Sequence, residues 1–477
     1  MPARRLAVKE ERTLPRVVVA GLGGGSGKTI VSMALLLAAR RAGIAVRAFK
    51  KGPDYIDAAW LSWASANPAR NLDTYLMGFD CAVSSFARHG VSDGLNLIEG
   101  NRGVFDGMDV AGTHSSAALA KAFQAPVLLV LNVTKVTRTA AAFVLGARQL
   151  DPDLQIAGLV LNHVNGRRHE QIVRESIASV SDIPVVGVVP KLDIGELVPE
   201  RHLGLVTPDD HTAREALESK LLAEVVLHLD LESIVRIART AGPLRAELEP
   251  KPNLPDASHL RVGYLRDAAF SFYYAENLEA LESAGAELLP ISALTAGRLP
   301  AGLSALYIGG GFPEVHAAAL SANTSFLQSV REASQSGLPI YAECGGLMLL
   351  SRGIVWHGSR HPMAGLFPFD AHVCSTAQGH GYTELLVDRQ NPFYPSGLVI
   401  RGHEFHYSRI ELQADTLDTV CEVRRGSGAW QHRDGIVSGN VWAGYTHVHA
   451  LATPQWASGL VNAARRFASS SMATAGN

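Results

Sequence analysis

The sequence predicts an α/β protein of two successive domains, each built on a largely parallel sheet covered by helices. Three observations lead there. Residues 16 to about 205 alternate short apolar runs with helical stretches. A segment rich in Pro and charge, "AELEPKPNLPDASH", then breaks the pattern, and from "LRVGYLRD" at 260 the alternation resumes to about 466. At 477 residues the chain is also too long for one ordinary core.

The elements follow in order. "RVVVAGL" is Val-rich and ends in Gly, as a strand does. "TIVSMALLLAARRAG" carries apolar residues at helical spacing, with Gly43 as its stop. "AVRAFK", "LNLIEG", "APVLLVLNV", "IAGLVLNHV" and "PVVGVVP" lack polar alternation, the mark of strands buried on both faces of a parallel sheet. The stretch 208–240 reads as purely helical, leading into the linker. The expected organisation is a disordered tail over 1–15, a first domain over 16–207, and a helical segment and linker over 208–259. A second domain over 260–466 and a disordered tail over 467–477 complete it.

Composition narrows the function. Hydrophobic residues are 47% and charged residues 18%, and 43 basic side chains face 45 acidic ones. That balance offers no electrostatic case for nucleic acid or an anionic membrane surface. No apolar run approaches the roughly 20 residues of a membrane span, and "MPARRLAVKEERTLP" lacks a signal's apolar region. Cys81, Cys344, Cys374 and Cys421 are widely spaced, so neither a disulfide framework nor a zinc motif is suggested. A cytoplasmic protein with reduced thiols is expected.

"GLGGGSGKT" lies between the first strand and the first helix, the setting of a phosphate-binding loop. Its glycines let backbone amides turn inward around phosphate oxygens, with Gly21, Gly25, Ser26, Gly27, Lys28 and Thr29 as the ATP-binding set. Lys28 would reach the β/γ-phosphates and Thr29 would bind Mg²⁺. The usual spacing needs Gly at 22, where Leu22 stands, so the loop is one residue longer than standard. "FKKGPDYID" and "LIEGNRGVFDG" place Asp54, Asp57 and Glu99 after further strands. Strand ends of a parallel sheet converge on one edge, where carboxylates can hold Mg²⁺ beside phosphates. Thr29, Asp54 and Glu99 are the metal candidates; for Asp54 and Glu99 a helix-capping role is the alternative. Lys50 and Lys51 would offset phosphate or substrate charge, unless one is merely solvated.

In the second domain, "LPIYAECGGLMLL" turns sharply at Cys344 between a strand and a helix. Such a corner exposes a nucleophile, and the helix N-terminus favours the thiolate. Amides of "YIGGGFPE", at Gly310 and Gly311, with that of Gly345, would form an oxyanion hole. The nucleophile needs a base, and "VWAGYTHVHA" supplies His447 or His449. An ATP site and a glutamine-cleaving thiol on one chain point to ATP-dependent amidation of a carboxylate. A partition-type P-loop ATPase would leave Cys344 and the histidines without work, and a non-catalytic binder would not need Lys28 and Cys344 together.

"KKGPDYID", "EGNRGVFDG", "PERHLGLV", "YIGGGFPEVHAAALSAN", "YAECGGLMLL" and "RGHEFHYS" together resemble the cobyrinic acid a,c-diamide synthase family, over about residues 16–466. The five-residue loop spacing is similar to that family and to dethiobiotin synthetases. The resemblance implies a P-loop synthetase domain fused to a flavodoxin-like class I glutamine amidotransferase domain. It implies Cys344 as nucleophile, His447 as base, glutamine as nitrogen donor, and a tetrapyrrole whose a and c acetates become amides. Lys51, Arg102, Asp106, Arg201 and His202 become expected acceptor contacts. His403 and His406 would orient acceptor carboxylates or line a domain interface, with a zinc site as the competing reading. A homodimer fits the resemblance. The chain departs from the family's habit at Ala450 and at Asn101-Arg102. It carries His449 where many amidotransferases have the Glu that orients the base, so no third triad member is assigned. Sirohydrochlorin and sirohaem stay open as acceptors.

Overall fold

The structure is a computed structural model that describes residues 8–192, 200–201, 204–211, 213–248, 260–412 and 416–475. The chain divides into two compact units, 1–250 and 251–477.

The first unit holds β1 (Val8–Arg12), β2 (Arg16–Gly21), α1 (Lys28–Arg41), β3 (Val46–Lys51), α2 (Tyr55–Ser65) and β4 (Arg70–Leu72). It continues through α3 (Phe79–His89), β5 (Leu95–Gly103), α4 (Ser116–Ala122), β6 (Val127–Asn132), α5 (Thr139–Leu150), β7 (Ile156–Val164), α6 (Gly166–Ala178) and β8 (Val185–Pro190). Seven strands form one sheet in the order β4-β3-β5-β2-β6-β7-β8, parallel at every junction. All six expected strands are in it. β2 lies at its centre, and Val17, Val18 and Val19 are fully buried there. α1 stops where Gly43 takes φ +73 and the Ile44 amide donates to the Ala39 carbonyl, a left-handed cap that glycine makes without strain.

Two boundaries need correction. The N-terminal tail expected to be disordered over 1–15 contains β1, paired antiparallel with Leu244–Leu248. Leu14 is buried and Arg12 donates to the Ala87 carbonyl at 3.0 Å. A strand whose partner lies over two hundred residues away leaves no local signal. The helical segment, as Arg214–Glu224 and Leu231–Arg239, packs on the first unit, and Leu244–Leu248 within the expected linker is that strand partner. Most of the rest of the linker lies outside the described residues.

The second unit carries a ten-stranded sheet. Its parallel half runs Ala286–Ile291, Leu260–Leu265, Ala305–Ile308, Ile340–Glu343, Val441–Gly444. Counted along the chain, that is the flavodoxin-like order 2-1-3-4-5. Antiparallel strands extend it through Arg433–Ser438, Thr419–Arg425, Gly379–Val387, Val399–His406 and His447–Val448. Tyr341 stacks on Trp442 at 4.5 Å in the core of this sheet. The final helix, Gln455–Ala475, corrects the tail expected over 467–477. Trp456, Leu460, Val461 and Ala464 anchor its apolar face, and the Ala/Ser stretch beyond offers nothing that stops a helix.

Candidate functional sites

The phosphate loop hangs between β2 and α1. Gly25 and Gly27 adopt φ +67 and +88, which side chains rarely tolerate. A Cβ on Gly27 would collide with the Asn162 amide, and that amide donates to the Ser26 carbonyl at 2.9 Å. A Cβ on Gly21 would strike Ser26. Asn162, at the end of β7, thus braces the loop; sequence reasoning missed it, although a polar residue closing the run "LVLN" was the available signal. The Lys28 ammonium reaches back to the Gly23 carbonyl at 3.4 Å. Burial, helped by the charge of Lys50, holds its pKa below the ordinary lysine value.

Behind the loop is a buried charge cluster. Lys50 donates to Asp57 at 2.5 Å, to Glu99 at 2.9 Å and to the Gly100 carbonyl at 3.1 Å. Burial opposes its charge, but Asp57 and Glu99 outweigh burial and hold the ammonium above its usual range. With all three protons engaged, Lys50 organises carboxylates rather than meeting substrate. Thr29 donates to Glu99 Oε1 at 2.8 Å. Glu99 Oε2 is buried with no hydrogen-bond partner among the described residues. A bare carboxylate oxygen next to a P-loop hydroxyl fits a hard divalent cation such as Mg²⁺. Asp54 is the N-cap of α2, accepting from the Asp57 amide at 2.9 Å. Burial first, then the charge of Asp57, raises its pKa to about 7.

Of the expected acceptor contacts, Lys51 and Arg102 share this edge. Lys51 is buried; desolvation depresses its pKa, and it feels both Asp73 and Arg102. Arg102 is exposed, on a backbone with φ +50. Asp106 caps the same turn, accepting from the Gly103 amide at 2.8 Å. The backbone of Arg201 lies in the two-residue strand Glu200–Arg201, and His202 lies outside the described residues.

The second site forms at adjacent strand ends. Ile340–Glu343 and Val441–Gly444 pair in parallel, and the Cys344 amide donates to the Gly444 carbonyl at 2.7 Å. Cys344 sits at φ +49, ψ −98, a strained corner, and begins the helix Gly345–Leu350. Burial, then the charge of Glu314, pushes its thiol well above the ordinary value. A Cβ on Gly345 would stand 3.1 Å from the Gly311 amide nitrogen, so these two glycines face each other at the corner. A Cβ on Gly310 would meet His447 Cε1 at 2.6 Å and Nε2 at 3.4 Å. These approaches bring Gly310, Gly311, Gly345 and His447 to the corner at Cys344.

His447 Nδ1 faces Glu343 Oε2 at 3.3 Å, and both side chains are buried. Sequence reasoning missed Glu343; the signal was a carboxylate closing the buried run "IYAE". His449 engages other groups: its Nδ1 accepts from the Leu451 amide at 3.2 Å, and its Nε2 lies 3.7 Å from Glu276 Oε2. Burial drops its pKa to about 3.

"RGHEFHYS" requires a correction. His403, Glu404 and His406 are all buried within the second unit, where the first two expected roles, holding acceptor carboxylates or lining an interface, give way to packing around the His447 strand. His403 pairs in register with His447 and stacks on it at 5.0 Å. Burial, with His447 and His449 adding, holds it far below the usual histidine range. His406 stacks on Tyr445 at 3.7 Å, and its Nδ1 donates to the Ser408 carbonyl at 2.7 Å. Antiparallel pairing of Val399–His406 beside the base strand, invisible in the sequence, put them there. Among the described residues no three His, Cys, Asp or Glu side chains gather to cage a metal.

Residues 17–205 match the CobQ/CobB/MinD/ParA nucleotide binding domain, and residues 261–455 match the CobB/CobQ-like glutamine amidotransferase domain. The chain is 40% identical to the cobyrinate a,c-diamide synthase of Magnetococcus marinus, over 93% of this chain and 96% of that one. It is 38% identical to that of Syntrophotalea carbinolica, covering 94% and 99%. The chain belongs to the cobyrinate a,c-diamide synthase family. A further family member, from Methanothermobacter thermautotrophicus, is 38% identical over 95% of this chain and all of that one. The family's two domains coincide with the two units, and each carries one of the sites above. Among the described residues no helix is long and apolar enough to cross a membrane.

Proposed function

We propose that this chain converts the a and c acetate side chains of cobyrinate to amides, using ATP and glutamine. The observation that carries the reading is a phosphate loop and a Cys-His glutaminase corner on one chain, in a family whose relatives bear that activity by name. At the corner, the Cys344 S–H bond breaks, its proton passes to His447 Nε2, and sulfur adds to the glutamine side-chain carbonyl. The oxyanion meets the amides of Gly311 and Gly345. The tetrahedral adduct collapses, His447 protonates the leaving nitrogen, and ammonia departs. Water, deprotonated by His447, then releases glutamate from the thioester. In the first unit, Lys28 and the loop amides stabilise charge on the transferring γ-phosphoryl as an acceptor carboxylate oxygen attacks it. Ammonia displaces phosphate from the acyl phosphate to give the amide. Thr29 and Glu99 would hold Mg²⁺, which supplies charge neutralisation on the nucleotide phosphates.

Arg102 and Lys51 present cationic groups at the phosphate-loop edge, and a guanidinium grips a carboxylate in bidentate fashion. Replacing Arg102 with Ala is expected to raise the KM for the tetrapyrrole several-fold, leaving those for ATP and glutamine near normal. Steady-state kinetics with each substrate varied in turn checks this, and an unchanged acceptor KM returns Arg102 to a loop-bracing role. The ring itself is tested by offering cobyrinate, sirohydrochlorin and sirohaem with ATP and glutamine, and detecting each carboxyl-to-amide exchange by mass. Two exchanges on cobyrinate are expected. Turnover confined to sirohydrochlorin or sirohaem would replace the corrin with that ring, in keeping with the Asn101-Arg102 departure.

A further inference from the structure

We infer that Glu343, the residue immediately before the nucleophile, is the positioning residue that orients the glutaminase base His447. This rests on the reading of Cys344 and His447 as nucleophile and base.

The geometry assigns each ring nitrogen. His447 Nδ1 is 3.3 Å from Glu343 Oε2, and the Cε1–Nε2 side of the ring lies against Gly310. A carboxylate only accepts, so the proton sits on Nδ1 and Nε2 carries none, on the side of the ring toward the glycine loop where the substrate carbonyl would lie. That is the tautomer a general base needs; with the proton on Nε2 the ring could not take one from sulfur. Glu343 is itself held from three directions. Its Oε1 accepts the Val448 amide at 3.3 Å, and its Oε2 is 3.4 Å from the Tyr307 hydroxyl. Its backbone is fixed by the parallel pairing of Glu343 with Gly444. The Val448 contact matters most, because it ties the carboxylate to the strand His447–Val448 that carries the base.

Other polar groups around the ring do not offer the same service. His403 stacks against the face of His447, not its edge, and engages Tyr274 at 3.1 Å through Nδ1. His449, two residues on, spends its Nδ1 on the Leu451 amide. Asp434 accepts from the amides of Gly435, Tyr445 and Thr446. It thereby shapes the turn leading to His447. The carboxylate that orients the base thus comes from the nucleophile's own strand, not from the segment after the histidine. One short stretch, Glu343-Cys344, fixes both partners of the proton transfer.

The test uses the full-length protein with Glu343→Gln, Glu343→Asp and, as the control for the underlying reading, Cys344→Ser. Glu343→Gln keeps the volume but can present an N–H to the ring and so favour the wrong tautomer. The glutaminase kcat is expected to fall about 10²-fold or more, with the KM for glutamine within about threefold and ammonia-driven amidation unchanged. Glu343→Asp should recover part of that kcat. Nitrogen NMR of the His447 ring should show the Nδ1–H tautomer in the parent protein and a mixture, or the other tautomer, in Glu343→Gln. A Glu343→Gln protein with parental kcat and tautomer overturns the inference. So does one that merely loses stability, with both nitrogen sources falling in step. Retained glutaminase in Cys344→Ser would instead overturn the glutaminase reading itself, whatever Glu343 does.

Discussion

On the proposed function, two side chains separate the chemistry into halves. Cys344 stands on a strained corner, and Lys28 heads α1 at the phosphate loop. Cys344→Ser should lose glutamine-dependent amidation at least 10³-fold while amidation driven by free ammonia persists, because a hydroxyl is far harder to deprotonate than a thiol. Lys28→Ala should do the reverse: amidation fails with either nitrogen source while glutamine hydrolysis continues. Assaying both variants with both nitrogen sources checks the pair, and loss of ammonia-driven synthesis in a folded Cys344→Ser would sink the two-site scheme. These residues were legible in the sequence because their signals are local: "GSGKT" and "AECGG" each fit within one strand-to-helix turn. Glu99 was legible for the same reason, as a carboxylate at a strand end. Lys50 was not, since only the buried geometry shows that Asp57, Glu99 and Gly100 consume its three protons.

Among elements, the glycine loop after Ala305–Ile308 has the least room to vary. The Gly309 amide donates to the Tyr273 hydroxyl at 2.8 Å, which pins the loop, and Gly310 abuts the base. Gly310→Ala would place a methyl 2.6 Å from His447 Cε1, well inside contact distance. The ring must swing, and glutaminase kcat should drop about 10²-fold, with the ATP site and ammonia-driven synthesis untouched. Measuring glutamine hydrolysis in the variant decides it; near-normal turnover would mean that the loop can retreat instead. The parallel strands of the first unit were read from the sequence because burial on both faces leaves unbroken apolar runs. β1 and the strand Val399–His406 show the limit. β1 depends on Leu244–Leu248, and the place of His403 depends on its register with His447. Such pairings are set by partners distant in the chain, so the burial of His403 and His406 beside the strand of His447 had no local signal.

On the scale of the molecule, stability against pH follows from buried histidines kept neutral. Burial takes His449 to about pKa 3, against about 6.5 for the unfolded chain. Its folded pKa is depressed, so as pH falls below about 6.5 the unfolded state binds a proton that the native state refuses. Stability is then lost toward acid at up to about 1.4 kcal/mol per pH unit for this one group. His403 works in the same direction. Asp54, raised to about 7, works oppositely over part of that range. The readout is therefore a difference between two proteins. His449→Asn, whose side-chain oxygen can still accept the Leu451 amide, should show a flatter acid dependence of unfolding than the parent between pH 6.5 and 5, about one proton shallower. Hydrogen exchange of the amidotransferase unit across that range measures it, and parallel curves would mean that His449 is not held neutral by the fold.

The buried state of the Cys344 thiol has a consequence for oxidative damage. Peroxide attacks the thiolate, and a thiol pushed well above its ordinary pKa offers almost none at rest. On the proposed mechanism, the reactive sulfur forms when glutamine occupies the corner and His447 takes its proton. Idle protein should thus withstand dilute hydrogen peroxide, whereas protein turning over glutamine should form sulfenic acid at position 344 markedly faster. Dimedone trapping with and without glutamine would reveal the difference; equal labelling in both would show that the resting sulfur is already ionised. Vulnerability of the sulfur would then track glutamine turnover.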